Sequence, residues 1–467
     1  MAGAPTPGKG AGSSGLATFT AVAIGQVFSL LGSGMTGFAL VIWAYAETGQ
    51  ATTLALAAFF RFGPTVLFSP TAGALVDRWN RKLTMMLSDL AAGISTIALL
   101  LLLLGSSLEV WQWYLAGAIA GVFEAFQFPA YSAAISTMLP KQHYGRAAGM
   151  LSLAQNASSI FAPIAAGALI GIFALPGNID RALVVIMGAD IVTFTIAIGI
   201  LLAVRIPQSP RTDLGTRARG NLLKESVFGF HYIAKRKSLL GLQLVFFFVN
   251  LFATLGFIVV APMILARTRQ DAVVLGIVES AAGLGGVIGS IAMSAWGGPK
   301  RRIHGVLAGM ALVGVAGEVL TGLGRELIIW SAAAFITSFL LPIINGSNQA
   351  IWQSKVPPDI QGKVFAVRRL IAQITVPVAF LIAGPLADFV FEPAMAAGGS
   401  LAGTFGFLVG VGPGAGMALM LVVFGLMDTL VGIGAYSVRT VRDVEAILPD
   451  FDVALTTAGD GGSPPKG

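Results

Sequence analysis

Cysteine is absent from all 467 residues, which excludes disulfides and thiolate metal sites. Histidine is scarce as well. His143, His231 and His304 fall in separate short polar connections, so no metal site is expected. Charged residues make up only 11% of the chain, against about 25% in an ordinary soluble domain. No phosphate-cradling Gly-x4-Gly-Lys-Ser/Thr occurs; Gly362-Lys363-Val364, for instance, lacks the hydroxyl and the upstream glycine. Without a nucleophile–base pair, the chain does not read as an enzyme, and it implies no cofactor.

What is present is grease. Hydrophobic residues reach 55%, and mean hydropathy is +0.82. Apolar runs of roughly 20 residues recur from end to end, long enough to cross a hydrocarbon layer about 30 Å thick. They cover 17–45, 52–76, 83–104, 111–139, 147–174, 182–204, 239–265, 272–296, 303–323, 327–352, 364–391 and 401–436. These are read as about twelve helices, because a helix satisfies its own backbone in lipid. Residues 1–15, rich in Gly, Pro, Ser and Ala, are expected to be disordered rather than a signal peptide.

The net charge of +7 has a simple distribution. Connections after the second, fourth, sixth, eighth and tenth spans hold Arg78, Arg81, Lys82, Lys141, Arg146, Lys300, Arg301, Arg302 and Lys363, and the interval 205–237 holds eight bases. The opposite connections hold Arg181, Arg267, Arg269 and Arg325. Such asymmetry puts both termini and the central linker in the cytoplasm. It accounts for the basic balance without a nucleic-acid partner. Within the linker, Leu223, Val227, Phe230 and Ile233 share one face of a short helix, which reads either as an inner-leaflet helix or as a tether.

The chain also repeats itself. Pro140 is followed five residues later by Gly145-Arg146, and Pro357 by Gly362-Lys363, an offset of roughly 217 residues. The basic hinge of Asp77, Arg78, Arg81 and Lys82 is answered by Lys300-Arg301-Arg302. The organisation expected is a tail (1–15), a six-helix bundle (16–204), a cytoplasmic linker (205–238), a second bundle (239–437) and a cytoplasmic tail (438–467).

The stretch Gly73-Ala-Leu-Val-Asp77-Arg78-Trp-Asn80-Arg81-Lys82 closely resembles the loop motif of the major facilitator superfamily, Gly-x-x-x-Asp-Arg-x-Gly-Arg-Arg. Asn80 stands for the last glycine, and both tolerate a left-handed turn. Pro163, Gly167 and Gly171, after Asn156, resemble the proline/glycine motif of its antiporters, with Ala162 where that motif has glycine. Asn348-Gln349, Trp352-Gln353, Gly362-Lys363 and Arg368-Arg369 resemble a bacterial branch that exports macrolides, siderophores and drugs. The resemblance implies an all-α integral membrane protein with twelve transmembrane helices in two pseudo-symmetric six-helix bundles, in a bacterial inner membrane. It also implies a latch, in which Asp77 faces the start of the eleventh span near Arg368.

Ionisable residues inside spans are functional hypotheses. Counted from the outer ends, Arg61 lies roughly 13 Å deep and Glu124 roughly 20 Å, within reach of each other. Burial and a nearby guanidinium act on a carboxyl in opposite senses. Glu124 is therefore expected to carry the coupling proton with Arg61 as its tuner, the alternative being a permanent pair that locks two helices. Glu279, before a run of small residues, is a further proton-coupling candidate, which could equally contact a cationic substrate or pack against a polar neighbour. Asp190 is expected to make a structural hydrogen bond, and Glu318 is given no role. In this fold spans one, four, seven and ten line the cavity. That selects Gln26, Ser33, Phe123, Gln127, Tyr131, Asn250, Asn345, Asn348 and Gln349, a polar but mostly uncharged set suited to a bulky amphipathic ligand.

The reading is a secondary exporter of amphipathic small molecules, working as a monomer by alternating access and driven by proton entry. The alternatives are an importer or flippase of lipid-like solutes and a non-transporting receptor on the same fold.

Overall fold

A computed structural model describes residues 11–76, 80–138, 144–175, 178–204, 222–356 and 361–448. Of these, the side chains of 11–17, 69–76, 81, 128–129, 131–138, 144–156, 222–228, 361–363 and 366 lie outside the description. Among the described residues there is helix and no strand. The first six helices are α1 (Ala11–Thr48), α2 (Ala51–Val76), α3 (Arg81–Leu104), α4 (Val110–Met138), α5 (Tyr144–Phe173) and α6 (Asp180–Ala203). After a shorter α7 (Leu222–Lys235) come α8 (Lys237–Arg267), α9 (Ala272–Trp296), α10 (Arg302–Leu323) and α11 (Leu327–Lys355). The series closes with α12 (Gln361–Leu386, continued by Ala387–Phe391 and Glu392–Met395), α13 (Ala402–Val409) and α14 (Ala415–Ser437). Ten helices are long and apolar enough to cross a membrane among the described residues. The 29-residue α4 and 30-residue α5 complete a series of twelve.

Large apolar side chains such as Leu101, Val192, Phe257 and Ile328 expose more than half of their surface. Water penalises such a coat and lipid does not. The chain divides into two compact units, residues 1–211 with 264–283 and residues 212–263 with 284–467. In the first, α2 packs on α4, α1 on α5 and α6, and α3 on α4 and α6. In the second, α10 packs on α11 and α14, and α7 on α12. The core of the second unit gathers Leu239, Leu242, Val306, Leu307, Ile351 and the fully buried Trp352.

Three local features differ from the sequence reading. The span expected over 401–436 is two helices, because Gly410, Gly412 and Gly414 take φ of +86°, +103° and +78°, a region that residues with a Cβ rarely adopt. Glu392 then caps α14, accepting the backbone N–H of Gly414 at 3.1 Å and of Met417 at 2.9 Å. Asn80 is extended, with φ −70°, not left-handed; its side chain caps α3 by accepting the Leu83 N–H. The linker helix does not present Phe230 and Ile233 to one surface: Ile233 and Tyr232 are buried in the second unit's core while Phe230 is exposed. Residues 438–448 are also packed there, with Val441 and Val444 buried and Glu445 accepting the Ile303 N–H at 3.0 Å.

Candidate functional site

The first unit contains a cavity of about 150 Å³ between α1, α2, α3, α4 and α6. Its lining follows from helical periodicity. Gln26, Ser29, Ser33 and Thr36 recur at steps of three or four along α1, as do Asp89, Ala92 and Thr96 on α3 and Ala120, Glu124 and Gln127 on α4. Each set forms one stripe, so polar groups scattered through three apolar sequences converge on one space.

Close crossings set the geometry. A Cβ on Gly121 would stand 2.1 Å from the Arg61 carbonyl oxygen, so α4 meets α2 backbone to backbone. Thr65 Oγ1 donates to the Gly121 carbonyl at 2.9 Å across the same crossing. One turn along, Arg61 Nη2 lies 3.4 Å from Glu124 Oε2, with both side chains nearly half exposed to the cavity. Beside this pair, Asp89 accepts hydrogen bonds from Gln26 Nε2 at 3.1 Å and Gln127 Nε2 at 2.7 Å. Asp190 accepts from Ser33 at 3.2 Å and from Thr36 and Thr96 at 3.0 Å each. Three acids therefore share the lining with one arginine. Such a space favours positive charge, whether a proton or a cationic group.

Gln26, Ser33, Arg61, Glu124 and Gln127 come together here. Asp89 was not singled out from the sequence, although an acid roughly 12 Å into an apolar helix meets the same criterion as Glu124. Phe123 is half-buried on α4, and its carbonyl accepts the Ser88 hydroxyl at 3.0 Å. The Tyr131 side chain lies outside the described residues. Asn250, Asn345, Asn348 and Gln349 belong to the second unit. There Asn345 is exposed and Asn348 buried, with its Oδ1 lacking a partner among the described residues.

Arg368 donates to Gln349 Oε1 at 2.8 Å and lies over the Trp352 ring, 5.3 Å from its centroid. Asp77 and Arg78 fall outside the described residues, as do the side chains at 73 and 81. Lys82 Nζ donates to the carbonyls of Leu202 at 3.0 Å and Val204 at 2.7 Å, closing the C-terminal end of α6. Glu279 is partly buried on α9, away from the cavity lining. Its neighbours on α9 meet α5 closely: a Cβ on Gly276 would stand 2.6 Å from the Pro163 carbonyl oxygen. Ser280 Oγ donates to the Ile160 carbonyl at 2.7 Å, and Gly167 and Gly171 lie against Ala272 and Val273.

Bundled membrane helices around a polar, charge-bearing cavity define a carrier of small solutes. The Major Facilitator Superfamily model matches residues 22–380, and the chain belongs to that family. It is 26% identical over 376 residues to macrolide efflux protein A of Streptococcus pyogenes, covering 79% of this chain and 89% of that one. It is 26% identical over 370 residues to the multidrug efflux pump Tap of Mycolicibacterium fortuitum, covering 76% and 86%. Among solved structures, a bacterial homologue of the lysosomal transporter Spinster, inward-facing and unoccupied, aligns with TM-score 0.65 and 15% identity over 91% of this chain and 97% of that one. A bacterial homologue of the iron transporter ferroportin, also inward-facing, aligns with TM-score 0.61 and 14% identity over 90% and 98%. At those identities the structures share the fold.

Proposed function

We propose that this transporter exports amphipathic, preferentially cationic small molecules from a bacterial cell in exchange for protons. The observation that carries the reading is the Arg61–Glu124 pair in a cavity that also holds Asp89 and Asp190. A proton on Glu124 cancels its charge, releases Arg61 from the pair and makes the cavity less attractive to a cation. Loss of that proton restores the attraction. Proton and cargo thus compete for one negative charge, which is the condition for antiport. The names of the macrolide and multidrug efflux relatives support the outward direction and an amphipathic cargo.

The excess of Lys and Arg in the connections after the even-numbered spans supports a cytoplasmic side for the termini and linker. The resemblance to the superfamily's loop motif supports a latch role for Gly73, Asp77, Arg78, Arg81, Lys82 and Arg368, and the close approach of α9 to α5 supports a packing role for Pro163, Gly167 and Gly171. In the second bundle Asn250, Asn345, Asn348 and Gln349 contribute cargo contacts, with Phe123 and Tyr131 doing so in the first. The test is proton release. In liposomes reconstituted with the full-length chain, adding a macrolide or a cationic amphipathic dye should release protons to a pH-reporting dye. The Glu124→Gln variant, which holds the neutral form permanently, should bind the cationic dye more weakly and release no protons. Equal release from both proteins removes Glu124 from the coupling role.

A further inference from the structure

The second bundle holds two acids that the cavity does not use. Glu318 stands in the π-helical stretch of α10 (Val313–Val319), and Asp428 in the middle of α14. Both are buried, Asp428 completely. The two helices touch through glycine: a Cβ on Gly425 would lie 2.6 Å from the Gly314 carbonyl oxygen and 2.8 Å from Glu318 Cβ. That proximity brings the two carboxyl groups within hydrogen-bonding reach of each other. Among the described residues, Glu318 Oε2 and both Asp428 oxygens have no N–H or O–H donor.

Among the described residues, the neighbouring elements offer no counter-charge. From α8, Gly256 faces Glu318 with no side chain, and from α11 Thr337 abuts Gly317. The Thr429 hydroxyl is directed to the carbonyls of Gly425 and Ala311. The acids Asp388 and Glu392 belong to the end of α12, against the start of α14, where Glu392 is held by Gly414 and Met417. His304, at the other end of α10 and about four turns from Glu318, pairs with Tyr436.

The first bundle builds the corresponding place differently. There Asp190 on the sixth long helix is satisfied by Thr96 on the third and by Ser33 and Thr36 on the first. About 220 residues later, close to the offset of the internal repeat, Ala253 stands for Ser33, Gly256 for Thr36 and Glu318 for Thr96. Three donors have become a methyl group, a hydrogen atom and a second acid. Two carboxylates in contact, away from water and without a donor, cannot both be charged, and one proton bridges them at a stroke.

We propose that Glu318 and Asp428 hold one proton between them, forming a proton-binding site inside the second bundle, separate from the Arg61–Glu124 cavity. The test is infrared spectroscopy of the purified full-length protein in water and in heavy water. The wild type should show, at neutral pH, a protonated-carboxyl stretch equivalent to one proton per chain. That band should vanish in Glu318→Gln and in Asp428→Asn, whose amides donate to the remaining carboxylate, and persist in Glu124→Gln, Asp89→Asn and Glu279→Gln. Glu318→Thr recreates the first bundle's hydroxyl-to-carboxylate bond, so it should fold and lack the band even where the amide variants do not fold. A wild type with no such band, a band unchanged by all three pair variants, or a band erased by sodium at constant pH would each overturn the proposal. None of these results depends on whether the protein exports anything.

Discussion

At the scale of single residues, Asp190 and Glu124 make opposite predictions. Asp190 accepts three hydroxyl hydrogen bonds out of contact with bulk water. Its replacement by alanine removes three hydrogen bonds that tie α1 and α3 to α6, each contributing about 0.5–1.5 kcal/mol and about 1.5–3 where the acceptor is charged. Asp190→Ala should therefore lower the melting temperature of the detergent-solubilised protein clearly, and Asp190→Asn much less. The Arg61–Glu124 pair is nearly half exposed, and pairs of that kind contribute about 0–1 kcal/mol. Glu124→Gln should leave the melting curve almost unchanged while abolishing substrate-driven proton release. Arg61 and Glu124 were legible in the sequence because charge inside an apolar run announces itself. Asp89 obeys the same rule and could have been found by it. The parts played by Thr36 and Thr96 could not, since a hydroxyl in an apolar helix can always bond to its own backbone and so points nowhere in particular.

At the scale of elements, glycine decides which helices meet. Gly121 has no room for a Cβ against the Arg61 carbonyl, whereas Gly188 has nothing within 4 Å. Gly121→Ala should push α4 from α2 and cost about 1–3 kcal/mol, the range for overpacking a tight contact. Gly188→Ala should be neutral or slightly stabilising, and thermal unfolding of the two variants side by side checks this. Gly276, whose Cβ would crowd the Pro163 carbonyl, makes the same prediction for α5 and α9. Helix existence was readable from run length throughout, because lipid leaves a spanning segment no other way to satisfy its backbone. Helix ends were less so. The apolar run 401–436 hides the break at Gly410–Gly414, since glycine is tolerated inside membrane helices and only the positive φ values reveal a turn. The capping by Glu392, Glu445 and Lys82 joins residues far apart in sequence. No local pattern encodes such pairs.

For the whole molecule, about twelve spans in two halves were readable from run length and the internal repeat, and family membership from the resemblance of the stretch Gly73–Lys82 to the superfamily's loop motif. Orientation and energetics are where the proposal can fail. The chain's lack of cysteine makes orientation simple to measure. Lys300→Cys, in the exposed turn before α10, should react with a membrane-impermeant maleimide in inside-out vesicles and not in intact cells. Ser107→Cys, between α3 and α4, should show the reverse. The most direct measurement of the central claim is uptake of a macrolide and of a cationic amphipathic dye into respiring inside-out vesicles, with and without a protonophore. Wild-type protein should accumulate at least one of them, lose that accumulation when the protonophore is added, and lose it equally in Glu124→Gln. Accumulation that survives the protonophore, or is identical in the variant, would contradict proton-driven export through the Arg61–Glu124 cavity.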